Sequence, residues 1–175
     1  MSKLILTLIT FVPLAGAILL MFMPRNDRVI KWTALIVSIL AFLFSLHLPA
    51  RWTHGAPGFQ FAIDAPWISS PNIHYHLGVD GISVWLVLLT TFLTPFCVLI
   101  SWKSIHGAVK EFFVLMLILE TAMIGVFVSL DLFLFYVFWE ATLIPMALMI
   151  GMYGHERRVY AAVKFFLYTM VASVF

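Results

Sequence analysis

The sequence predicts an all-α, multi-pass transmembrane helix bundle with five complete helices and the start of a sixth. Three observations carry this reading. Of 175 residues, 63% are hydrophobic and only 10% charged, whereas about a quarter of a soluble domain is charged. The apolar residues fall in runs of about 20, the length a helix needs to cross a hydrocarbon core. The runs are apolar on all sides and lack the period-2 alternation of barrel strands. A helix satisfies its own backbone polar groups where no water can.

The spans are expected at residues 4–23, 29–48, 81–101, 111–128 and 132–150, with a sixth starting near Tyr160 and running to Phe175. The first is longer than the 7–15-residue core of a signal peptide. It is followed by Pro24-Arg25-Asn26-Asp27-Arg28 rather than by a small-residue cleavage site, so a retained span is expected. Spans four and five are joined by a few residues around Asp131, which makes them antiparallel neighbours. Ser129 or Asp131 is expected to cap span five, and Asp80 span three.

Charge sets the orientation. Arg25, Arg28, Lys31, Lys103, Lys110, Arg157 and Arg158 fall in loops one, three and five, whereas Lys3 and Arg51 fall on the other side. The positive-inside rule then puts the N-terminus outside, in a bacterial plasma membrane rather than a mitochondrial one. No basic run points to nucleic acid. Cys97, the single cysteine, is read as a packing residue. The long connection 49–77 carries Pro49, Pro57, Pro66 and Pro71 with Trp52 and Trp67, and reads as an irregular interfacial loop. Its His74-x-His76 pair has no third ligand nearby, so no metal site is expected.

Chemistry points to two carboxylates. Glu140 and Glu120 each sit near mid-depth of an apolar run, where a charge costs roughly 2.5–3.5 kcal/mol on insertion scales. Tyr136 lies four residues before Glu140, on the same face. Pro145, five residues after it, lacks an N–H and so frees the carbonyl of Ala141 to accept a bond from water or a neighbouring helix. Trp139 adjoins Glu140 at mid-depth. Lys164 shares a face with Tyr168 in span six. A lysine near a buried glutamate favours the charged carboxylate while desolvation favours the neutral one, which is the basis of a proton switch. The competing structural reading has the glutamates gluing helices together and Lys164 snorkelling to the interface.

These residues also carry a resemblance. Residues 75–83 with 88–95, then 111–146 and 154–169, resemble the third to sixth helices of the proton-pumping, antiporter-like membrane subunits of respiratory complex I, and most closely the chain M branch of that family. The family is itself similar to Mrp-type cation/proton antiporter subunits.

The resemblance implies that Glu140 is the essential fifth-helix glutamate, Glu120 the secondary fourth-helix glutamate and Lys164 a sixth-helix lysine on the proton path, with Tyr136, Trp139, Pro145 and Tyr168 in support. It implies a translocase subunit with no redox chemistry, cofactor site or metal of its own. NADH, FMN, iron–sulfur clusters and quinone would lie in partner subunits, and the partners would be other antiporter-like membrane subunits, the bilayer and protons. The implied layout is two N-terminal helices (1–48), an outer-side loop (49–80) and the start of the translocating bundle (81–175). Family members have about fourteen helices, so the chain is expected to be a fragment whose main lysine partner for Glu140 lies beyond Phe175. A Mrp-type antiporter or membrane hydrogenase subunit, and a truncated non-transporting scaffold, are the alternative readings.

Overall fold

A computed structural model describes residues 4–53, 55, 58–70 and 73–174. Lys3, Pro57, Pro71 and Phe175, which figure in the reading above, lie outside the described residues. The elements run α1 (Ile5–Phe22), α2 (Asp27–Ser45), α3 (His47–Ala50), β1 (Gln60–Ile68), β2 (Ile73–Val79), α4 (Ser83–Ser104), α5 (Val109–Val128), α6 (Leu132–Tyr153) and α7 (Arg158–Val174). Among the described residues, five helical segments are long and apolar enough to cross a membrane, with α2 and α3 forming one of them.

The helix ends follow local chemistry. Asn26 caps α2 by accepting from the N–H groups of Arg28 and Val29 at 3.2 and 3.5 Å. Asp131 caps α6, accepting from Phe133 and Leu134 at 2.9 and 3.1 Å. Ser129 instead donates back to the Gly125 carbonyl at 2.7 Å. Asp80 accepts from Ile82 and Ser83 at 3.1 and 2.6 Å and so fixes the turn into α4. These bonds satisfy N–H groups that a helix start leaves open.

Helix α5 is the axis of the bundle and packs against α1, α2, α4 and α6. One stripe of it, Phe113, Leu117, Glu120, Ile124 and Val128, is fully buried. In lipid the drive to associate comes from close packing and interhelical hydrogen bonds rather than from leaving water. Small residues supply the closeness. A Cβ on Gly16 would fall 2.4 Å from the Val37 side chain, and one on Gly125 would fall 2.2 Å from the Phe138 ring. Between α2 and α4 the hydroxyls of Ser45 and Thr91 meet at 2.8 Å, a contact worth about 0.6 kcal/mol on average in membranes.

Two expectations need correction. The connection after α3 is not irregular: β1 and β2 form an antiparallel hairpin in which Ile63 faces Leu77 and Ala65 faces Tyr75. In β2 the apolar Ile73, Tyr75, Leu77 and Val79 alternate in sequence with His74, His76 and Gly78, the period-2 pattern of a strand, and the strand is buried at Ile73 and again from Leu77 to Val79. Pro66 is tolerated because both strands of a two-stranded sheet are edges. Cys97 does not pack; it is exposed on α4.

The hairpin is sewn to the α5–α6 turn. The Leu130 N–H donates to the His76 carbonyl at 2.9 Å, and the His74 N–H donates to Asp131 at 3.2 Å. The Tyr75 hydroxyl meets Thr7 of α1 at 3.1 Å.

Candidate functional site

Glu120 lies eight residues before the end of α5, and Glu140 eight residues after the start of α6. Both therefore stand about 12 Å from the same turn, at matching depth. They do not face each other. Phe138 packs on Gly125 of α5, and Glu140, two residues on, is rotated by about 200° around α6. That turns its carboxyl toward α7, where the Ser173 hydroxyl donates to Glu140 Oε1 at 2.5 Å. The Tyr136 hydroxyl interacts with the same carboxyl and with Ser173. Glu140 is half-buried among these groups.

Glu120 is sealed in. It is 0% exposed, and neither carboxyl oxygen has a hydrogen-bond partner. Thr94 of α4 lies beside it, with its hydroxyl spent on the Thr90 carbonyl at 2.9 Å. An unpaired buried polar group costs about 1–3 kcal/mol, so packing alone gives no reason for a glutamate there.

Lys164 is not brought to either glutamate. The inward face of α7 runs Ala162, Phe165, Phe166, Thr169, Met170, Ser173, at the spacing of a single helical stripe. Lys164 precedes Ser173 by nine residues and so stands about 180° away. Its ammonium lies 5.7 Å from the centre of the Tyr160 ring. With Tyr160, Leu167 and Tyr168 it lines an outward groove of about 610 Å³. The expected Lys164–Tyr168 pairing on one face is present, but on the face away from Glu140.

The supporting residues divide. Tyr136 joins Glu140. Trp139 is exposed and stacks on Phe135 at 5.9 Å. Pro145 is buried within a helix that continues past it. Sequence reasoning missed Ser173 and Thr94. The stripe from Ala162 to Ser173 was the available signal for the first; nothing in the spacing of α4 marked the second.

His74 pairs through Nδ1 with Asp64 at 2.6 Å. Among the described residues no cluster of three or more His, Cys, Asp or Glu side chains is placed to hold a metal.

Comparison with known proteins bears on the sequence and the fold. Residues 129–175 match the family described as NADH:quinone oxidoreductase/Mrp antiporter, TM. NADH-quinone oxidoreductase subunit M of Rhodobacter capsulatus is 50% identical over 97% of this chain and 34% of its own length. NADH-ubiquinone oxidoreductase chain 4 of Arabidopsis thaliana is 44% identical over 93% of this chain and 33% of its own. Respiratory complex I from Thermus thermophilus with bound NADH contains a chain that superposes with a TM-score of 0.80 at 30% identity, covering 96% of this chain and 33% of that one. A chain of a membrane-bound sulfane sulfur reductase, an archaeal respiratory membrane complex, shares the fold with a TM-score of 0.74 at 18% identity. The chain spans about a third of the length of the curated relatives it matches. In sequence and in fold, then, this is a multi-pass membrane chain homologous to the antiporter-like chain M (chain 4) subunits of NADH:quinone oxidoreductase, matching about one third of such a subunit.

Proposed function

We propose that the chain forms part of a proton path in a NADH:quinone oxidoreductase, with Glu140 as its central proton-carrying group. The observation that carries this reading is the environment of Glu140: a mid-depth carboxylate turned between two helices, with the hydroxyls of Tyr136 and Ser173 on it. Intramembrane carboxylates that face a bundle interior mark ion and proton pathways. Hydroxyl donors stabilise the charged carboxylate, and their withdrawal favours the neutral acid. A movement of α7 against α6 would therefore change the hydrogen bonding at Glu140.

Glu120, at the same depth on α5, is the secondary group. Lys164 acts from the outward face of α7, toward whatever packs there in the assembly. Pro145 leaves α6 one backbone bond short just beyond Glu140, and Trp139 and Tyr168 stand on the surfaces flanking the path.

The reading extends to the whole assembly. The chain is a translocase subunit, driven by quinone reduction elsewhere. NADH, FMN, the iron–sulfur clusters and quinone are bound by partner subunits, and neighbouring antiporter-like subunits abut this one in the bilayer. Residues 1–48 and the 49–80 hairpin region frame the translocating bundle that begins at residue 81. The N-terminus faces outward across a bacterial inner membrane, with the basic loops inside. Relatives named for quinone oxidoreductases, rather than for Mrp antiporters or hydrogenases, favour this assembly over its alternatives.

The test is Glu140→Gln in the intact complex. Loss of most proton pumping with assembly retained is the expected result, and wild-type pumping in a well-assembled variant refutes the assignment.

A further inference from the structure

At the basic end of the bundle, the exposed faces of α2 and α4 enclose a groove of about 450 Å³ lined by Trp32, Leu35, Leu99, Ile100, Trp102 and Lys103. Its walls are open: Ile100 is 74% exposed and Trp32 53%. The two indoles meet edge to face, with ring centres 5.3 Å apart. Tryptophans of this kind mark the boundary between hydrocarbon and headgroups.

One cation, Lys103, lines the groove, and helix spacing puts a second, Arg28, on the face that carries Trp32. Lys103 is the last residue but one of α4 and lies one turn from Leu99. Arg28 is the second residue of α2 and lies one turn before Trp32 on the same face. Neither side chain has a hydrogen-bond or ion-pair partner among the described residues. The neighbouring basic groups are committed. Arg25 pairs with Glu111 at 2.8 Å. Lys31 donates to the Trp102 carbonyl at 2.6 Å. Lys110 donates to the carbonyls of Met21 and Met23 at 2.7 and 2.8 Å. Asp27, the nearest acid in sequence, lines a different pocket with Arg25 and His106.

We propose that this groove holds an anionic phospholipid, with its phosphate between Arg28 and Lys103 and an acyl chain along Leu35, Leu99 and Ile100. Charge complementarity selects this occupant. Two unpaired cations above an apolar trough match a negative headgroup on a hydrocarbon tail, whereas an apolar helix of another subunit would leave both charges without a partner. Basic pockets between helices on the positive side of a membrane bind anionic headgroups in this way.

The test places a photoreactive residue at Ile100 in the intact assembly, reconstituted in vesicles of equal parts phosphatidylglycerol and phosphatidylethanolamine. Mass spectrometry identifies what is captured. The expected result is an excess of phosphatidylglycerol that falls by roughly 25-fold in Arg28→Gln/Lys103→Gln, about fivefold per cation. Equal capture of both lipids by the parent overturns the proposal, as does an excess that survives the double substitution. Capture of a protein segment in place of lipid also overturns it, since the groove is then an interface between subunits.

Discussion

Phe138 rests its ring on Gly125, filling the space where any other residue would carry its Cβ. This contact fixes the rotation of α6 on α5, and with it the direction of Glu140. A methyl group at position 125 would fall 2.2 Å from the ring, so one helix has to move. Gly125→Ala is expected to destabilise the bundle by about 1–3 kcal/mol, the usual range for overpacking. Thermal unfolding of the purified assembly measures it. Adding Phe138→Leu should recover part of the loss, and a double variant no better than Gly125→Ala would contradict the packing account.

The two glutamates should not be equivalent. Glu140 accepts a hydrogen bond from Ser173 and has Tyr136 beside it, whereas Glu120 is fully enclosed with only the Thr94 hydroxyl beside it. Glu120→Gln is expected to lower proton pumping, measured by dye quenching in vesicles, by less than Glu140→Gln does. Equal losses would show that the environments described here do not rank the two groups.

Ser173 donates a hydrogen bond to Glu140, and its removal is felt through that carboxyl group. Ser173→Ala is expected to slow pumping by about fivefold, corresponding to roughly 1 kcal/mol for one hydrogen bond. Ser173→Thr, which keeps the hydroxyl, should restore most of the rate. If Ala and Thr behave alike, the hydroxyl is not used.

Acid should loosen the end of the bundle that carries the hairpin. The Asp131 carboxyl is held below its ordinary range by the N–H groups it accepts, from Leu134 first and then His74 and Phe133. A depressed folded-state value means that the stabilisation is complete above the ordinary carboxylate range and is lost as pH falls through the depressed one. Hydrogen exchange at the amides of His74 and Leu134 should therefore quicken together in that acidic window. Asp131→Asn should keep the cap, since asparagine is as good an N-cap, but remove the pH dependence. Asp131→Ala should speed exchange at every pH.

Much of the bundle was legible before any coordinates. Segment lengths, apolar runs and short polar joints set the spans, and Asp131 was one of the two residues expected to cap the fifth. The hairpin was hidden by its prolines and tryptophans, although the alternation from Ile73 to Val79 was present. Glu140 and Glu120 were conspicuous because a charge in an apolar run is expensive, and their shared depth followed from counting back to one turn. Their orientation did not follow. Rotation depends on which small residue admits which large one, and no periodicity in α6 pairs Phe138 with Gly125. Lys164 was misdirected for the same reason: a cation stands out, while the stripe from Ala162 to Ser173 that decides which way α7 faces is apolar and easily passed over.

The stitching of β2 to the α5–α6 turn divides α6 mechanically. Its first turns are anchored through Asp131, Leu130 and the backbone of His74 and His76, so that end serves as a fixed mount. The proline at 145 leaves the ladder one rung short beyond Glu140. Bending of α6 is thus concentrated past the carboxylate, and Glu140 stands at the last firmly held turn before the pivot. A displacement of α7 would swing it and the part of α6 beyond Pro145 around a stationary carboxyl group, rather than carry that group with them.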